Sequence, residues 1–151
     1  MKKKIINKLS LPLVLVAALC FSSCSKDDAI SNKTPTIELV SVSAASIHEG
    51  DPLMFRIKYT DGDGDLGEDN ADAHNLFLVD NRVNVTYEYR IQELAPSSSS
   101  VIIRGNLNVE LSTTAITNGS SSQSVTYSIY VKDRAGNQSN TITTDAITIS
   151  Q

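Results

Sequence analysis

Val125-Thr126-Tyr127-Ser128-Ile129-Tyr130-Val131 alternates without a break. Val125, Tyr127, Ile129 and Val131 fall on one side of an extended chain, and Thr126, Ser128 and Tyr130 on the other. A period of two is that of a strand with one face in a core. The same pattern recurs upstream. In Leu53–Thr60, Leu53, Phe55, Ile57 and Tyr59 alternate with Met54, Arg56 and Lys58. In Asn84–Gln92, Val85, Tyr87, Tyr89 and Ile91 share a face. Thr36–Ser43 carries Ile37, Leu39 and Val42, and Asn75–Asp80 is a short apolar run. Val101–Leu111, Ser124–Lys132 and Thr141–Ser150 complete seven expected strands. Turn residues separate them, such as Glu49-Gly50-Asp51-Pro52 and the Pro96–Ser100 loop. Helical periodicity is almost absent. About seven short strands at this spacing predict an all-β, two-sheet antiparallel sandwich, with a small closed barrel as the alternative. No internal repeat, coiled coil, Rossmann or P-loop pattern is present.

The stretch richest in chemistry follows the second expected strand: Asp61-Gly62-Asp63-Gly64-Asp65-Leu66-Gly67-Glu68-Asp69-Asn70-Ala71-Asp72. Hard cations such as Ca²⁺ take several carboxylate and carbonyl oxygens. Alternating Asp and Gly lets the chain curl so that alternate carboxylates converge, and glycine supplies φ > 0 where the curl needs it. Asp61, Asp63, Asp65 and Asp69 are therefore candidate ligands for a structural Ca²⁺. The alternative is a solvated turn that holds nothing tightly. The loop is not a regular EF-hand, which places Gly sixth and Glu twelfth. Counted from Asp61, those positions hold Leu66 and Asp72.

After the sixth expected strand comes Asp133-Arg134-Ala135-Gly136-Asn137-Gln138-Ser139-Asn140. This Asp-x-x-Gly-Asn turn is similar to the one before the last strand of bacterial immunoglobulin-like domains. The acidic loop in turn resembles calcium loops at the ends of β-sandwiches. Together they make the region from residue 36 to 151 resemble the immunoglobulin-like domain of small surface lipoproteins in one large group of Gram-negative bacteria. That resemblance implies that the loops after the second and sixth strands lie at one end, which adds Asp133 to the candidate ligands. The competing reading of Asp133 is a side chain that caps its own turn.

The N-terminus agrees with that family. Lys2, Lys3, Lys4 and Lys8 precede an uncharged apolar run from Leu9 to Phe21. The run is short for a membrane span, which takes about 20 apolar residues, and its flanks fit a signal peptide. Phe21-Ser22-Ser23-Cys24 resembles a lipobox, with Phe where Leu is usual. The resemblance implies removal of residues 1–23, then diacylglycerol on Cys24 and acylation of its freed amine. Cys20 is a poorer fit, because bulky Leu19 would flank the cut. An uncleaved or buried N-terminal helix is the alternative. Lys26-Asp27-Asp28 resembles the signal that sends lipoproteins of that group to the outer face of the outer membrane, or else is an ordinary solvated tether. Residues 24–35 then form a lipidated cysteine and polar linker. The expected localisation is the outer membrane, lipid-anchored and facing the exterior.

Composition narrows the partners. The chain has 13 basic and 17 acidic residues. Loss of the four signal lysines leaves nine basic against 17 acidic residues, a net of −8. Such a chain gains nothing from phosphate contacts, so nucleic acid is an unsuitable partner. Anionic headgroups repel it too, so its membrane contact is through lipid. After cleavage Cys24 is the one cysteine left, which excludes a disulfide within the domain. Catalysis by a nucleophile needs a base beside it, and His48 and His74 have no Ser in a Gly-x-Ser-x-Gly setting. Glu88, Glu93 and Glu110 lie on or beside strands, and their separation cannot be read from sequence. The expectation is a non-catalytic binding or adhesion module for a glycan or an envelope protein. A structural envelope component or accessory subunit of an outer-membrane complex is the alternative, and a glycan-active enzyme a lesser one.

Overall fold

The computed structural model describes residues 32–151. The signal segment and Cys24 lie outside the described residues. Among those described, no helix is long and apolar enough to cross a membrane.

The chain forms β1 (Thr36–Val42), β2 (Ser46–His48), β3 (Leu53–Asp61), β4 (Leu76–Asp80), β5 (Val85–Tyr89), β6 (Ile103–Leu111), β7 (Ser122–Val125), β8 (Tyr127–Val131), β9 (Ile142–Thr143) and β10 (Ile147–Ser150). Alternation builds these elements. Along β3, Leu53, Phe55, Ile57, Tyr59 and Asp61 are buried, while the residues between them are exposed or half-buried. The sheet orders are β1-β3-β6, β5-β4-β8-β9 and β2-β10-β7. All pairings are antiparallel except β2 with β10. This all-β sandwich has the strand order of the immunoglobulin arrangement, with β1, β3 and β6 in one layer and β4, β5 and β8 in the other.

Phe55 from the first layer meets Tyr127 from the second edge-on, with ring centroids 5.3 Å apart. Leu53, Ile57, Leu66, Leu76, Leu78, Val125, Ile129, Val131 and Ile149 fill the space around them. Truncating a ring so enclosed, as in Phe55→Ala, costs about 3–5 kcal/mol.

Among the described residues, ten strands replace the seven expected, for local reasons. The expected sixth strand divides at Thr126, whose backbone and side-chain oxygens are taken by Asn81. Val125 pairs with Ile147 in the small sheet, while Tyr127 pairs with Asp80 in the larger one. The last expected strand divides likewise into β9 and β10, and Thr144 bonds Tyr127 through its backbone N–H and its hydroxyl oxygen. Expected strand four ends at Tyr89, because the side chain of Asn75 accepts the Ile91 N–H at 2.6 Å in place of a strand neighbour. Val101 and Ile102 lie outside β6 and are exposed.

The expected face of β1 is present, but only because of a bulge. Leu39 sits opposite Ile57, and Ser41 opposite Arg56. Val40 is the extra residue, and it is exposed. The bulge changes the parity, so Val42 returns to the core face opposite Phe55. At its start β1 is latched by Asn140, which accepts the Ile37 N–H and donates to the Ile37 carbonyl, both at 2.9 Å.

Candidate metal centre

Asp61 is where the core-facing stripe of β3 ends, so the pleat that buries Leu53, Phe55, Ile57 and Tyr59 also buries a carboxylate. It is fully inaccessible to solvent. Its Oδ2 accepts the Leu66 N–H at 2.9 Å, which closes the loop on itself. Leu66 fixes the curl by plugging into the core. Gly64 and Gly67 supply the two turns, at φ of 76° and 87°. A methyl group at either would collide with a backbone carbonyl, that of Val101 at Gly64 and that of Gln92 at Gly67. These two residues are glycine for conformation and for room alike.

The turn after β8 delivers the other wall. Asp133 is buried, and its carboxylate accepts from the Asn137 N–H at 2.7 Å and the Asn137 amide at 2.9 Å. It does cap its own turn. It also closes on the loop: one carboxylate oxygen from each of Asp61, Asp65 and Asp133 lies within 4.8 Å of the other two. Two backbone groups cross between the segments. Arg134 N–H donates to the Asp65 carbonyl and Ala135 N–H to the Asp65 carboxylate, both at 3.2 Å.

Among the described residues, the charges around this cluster do not balance. The guanidinium of Arg134 makes no salt bridge with Asp61, Asp65 or Asp133 among the described residues. It donates to the Gly67 carbonyl at 2.6 Å and lies 3.9 Å from Glu93. The Lys33 ammonium approaches only Asp63, at 3.9 Å, from an exposed position. Oδ1 of Asp61, of Asp63 and of Asp65 is buried without a hydrogen-bond partner among the described residues. Burial pushes the Asp61 carboxyl up, with Asp63 and Asp133 adding to it. Burial, then Asp133, Asp63 and Asp61, pushes Asp65 up to about 6. A protein seldom leaves buried ionisable oxygens unpaired, because each costs more than a net hydrogen bond returns.

Oxygen donors only, with three carboxylates in mutual reach, suit a hard divalent cation of the Ca²⁺ type. Asp61, Asp65 and Asp133 would hold it, with Asp63 beside them. Asp69 does not join them. It is exposed, and its carbonyl accepts from Arg90 at 3.0 Å. The Gly67 turn lies between it and Asp65, and the loop beyond leaves the cluster, since Glu68 N–H bonds the Ile91 carbonyl.

No protein-family model matches this sequence, and no curated protein matches it. The site's reading therefore rests on its own geometry. His74 Nδ1 sits 3.0 Å from Glu88, and His48 Nδ1 sits 3.4 Å from the Ser150 hydroxyl; both histidines are exposed or nearly so. Sequence reasoning passed over Arg134 and Leu66. An Arg beside a candidate ligand aspartate and a lone Leu in an acidic run are the signals available, though neither reveals a direction.

Proposed function

We propose that this chain is a lipid-anchored outer-membrane or cell-surface lipoprotein whose sandwich is a calcium-stabilised, non-catalytic binding or adhesion module. The observation that carries the ion is the buried, unpartnered oxygen on Asp61 and on Asp65, beside Asp133. Calcium supplies the positive charge that the described side chains around these oxygens do not. Its work is structural: Asp61 and Asp65 belong to one loop and Asp133 to another, so a shared cation clips the two together. The anchor is supported by the Phe21-Ser22-Ser23-Cys24 stretch and the basic, then apolar, segment before it.

Two experiments test the halves separately. Thermal melting in Ca²⁺ and in chelator tests the ion, because a ligand held only by the folded state stabilises it by about 2.7 kcal/mol at a hundredfold excess over Kd. Superimposable curves, for the wild type and for Asp63→Ala, would remove the ion. Labelled palmitate incorporated by the wild type but not by Cys24→Ala supports the anchor. Protease shaving of intact cells then addresses the exposed face: loss of the domain without lysis supports adhesion, and full protection removes it.

A further inference from the structure

The two edges of the β1-β3-β6 sheet are handled differently. β1 carries the Val40 bulge, and Asn140 occupies its outer backbone groups at Ile37. Bulges and covering groups are the usual means of stopping an edge from pairing with another chain. β6 has neither. Its nine residues pair with β3 in unbroken register from Ile103 opposite Asp61 to Leu111 opposite Leu53. Among the described residues, no hydrogen bond reaches β6 from any element other than β3. It contains no proline. Beside it an open groove of about 450 Å³ runs between the sheets, lined by Leu94, Leu107 and Tyr89 among others. A long edge with no bulge and no hydrogen-bonded neighbour is a template for one more strand.

The charges on that edge identify the strand. Arg104, Asn106, Asn108 and Glu110 face outward, while Leu107 lies at the centre of the nine. Suppose a second β6 runs antiparallel with the two-fold axis at Leu107. Ile103 then lies opposite Leu111, Arg104 opposite Glu110, and Asn106 opposite Asn108. The symmetry repeats each contact, so two Arg–Glu pairs and two Asn–Asn pairs form together. Neither Arg104 nor Glu110 makes a salt bridge among the described residues. Moving the axis to Gly105 puts Glu110 beyond the end of the partner strand. Moving it to Val109 does the same to Arg104. Only the Leu107 axis uses all nine residues and sets opposite charges face to face.

We propose that β6 pairs edge to edge with β6 of a second copy of this chain, making one six-stranded sheet across a two-fold axis. The contact is isologous, so it closes as a dimer and does not propagate. It is independent of the calcium reading, since it uses only the sheet.

Charge reversal with rescue tests it, on the full chain solubilised in detergent, with the protein mass per particle followed by sedimentation. The wild type is expected to form dimers. Arg104→Glu places Glu opposite Glu at both ends of the contact, and Glu110→Arg places Arg opposite Arg. Each should weaken self-association by about tenfold or more. An equimolar mixture of the two variants restores opposite charges at both ends, so it should dimerise where neither does alone. Both side chains are exposed, and unchanged melting would show that the variants fold; two misfolded proteins could not rescue each other. A monomeric wild type, variants that associate like the wild type, or a mixture of folded variants that stays monomeric would each overturn the proposal.

Discussion

The two ends of the sandwich each bury carboxylates and treat them in opposite ways. At one end Asp80, the last residue of β4, meets Arg82 two residues on. The guanidinium donates to both carboxylate oxygens, at 3.0 and 2.6 Å, and to Ala115 and Gln123 as well. Both side chains are almost fully enclosed, at 11% and 3% accessible. That end is complete within the chain. At the other end Asp61, Asp65 and Asp133 crowd together, and the nearest guanidinium is spent on carbonyl oxygens and Glu93. The difference separates two uses of a buried charge. A pair closed by the protein's own arginine is insensitive to what is dissolved around it. A cluster left short of positive charge ties its stability to the solution.

The largest break should come at the closed end. Arg82→Leu strands the Asp80 charge, and losing one partner of a buried pair costs about 3–5 kcal/mol. Denaturant midpoints should show that loss equally in Ca²⁺ and in chelator. Asp61→Asn makes the opposite contrast. The amide oxygen can still accept the Leu66 N–H, while one crowding charge is gone. In chelator this variant should equal or exceed the wild type; in a hundredfold excess of Ca²⁺ it should fall short by about 2–3 kcal/mol. An Asp61→Asn variant that is equally impaired in both solutions would mean that the carboxylate serves the loop and not a cation.

Glycine substitutions sharpen the contrast at a smaller scale. Gly64 and Gly119 both have positive φ, of 76° and 72°, yet only Gly64 is hemmed in by a carbonyl. Left-handed strain costs about 1–3 kcal/mol. Gly119→Ala should fall at the low end of that range, and Gly64→Ala at or above the top, with a weakened response to Ca²⁺ as well.

The smallest effect is expected with pH. Asp65 sits at about 6 when folded against the ordinary 3.8, so the folded state binds its proton more tightly than the unfolded one. That contribution to stability is complete below the unfolded value and is lost as pH rises through 6. In chelator the domain should therefore resist denaturant better near pH 5 than near pH 7, as far as this group decides it. Calcium binding should weaken in the other direction, as pH falls from 7 to 5, because protons compete for the ligand.

Much of this was legible in advance, and the misses have physical causes. Alternation located the core faces of β3 and β8, since one strand's period needs no knowledge of its neighbours. The expected sharing of one end by the acidic loop and the Asp133 turn is met, because strand order alone sets which loops meet. Asp69 lies apart from the cluster, since the sorting of the acidic run depends on Leu66 plugging the core and Gly67 turning after it. Those are tertiary events, and in sequence Asp69 looks like its neighbours. The divisions at Thr126 and Thr144 were hidden for a related reason. A strand that changes sheets keeps its alternation and reveals the change only through the side chains that bond there. Asp80 and Arg82 read as a strand end and a turn; nothing local marks them as a sealed pair.

The Asn140 latch also has a mechanical consequence. Tension applied to the chain on the N-terminal side of the sandwich arrives first at the start of β1. There β1 is held on one side by the β3 ladder and, at Ile37, on the other by both amide atoms of Asn140. Peeling that strand must break bonds on both flanks together, where an ordinary edge would open on one. Asn140 follows the Asp133–Asn137 turn, so the same short segment that walls the carboxylate cluster also braces the point where a pull enters the fold.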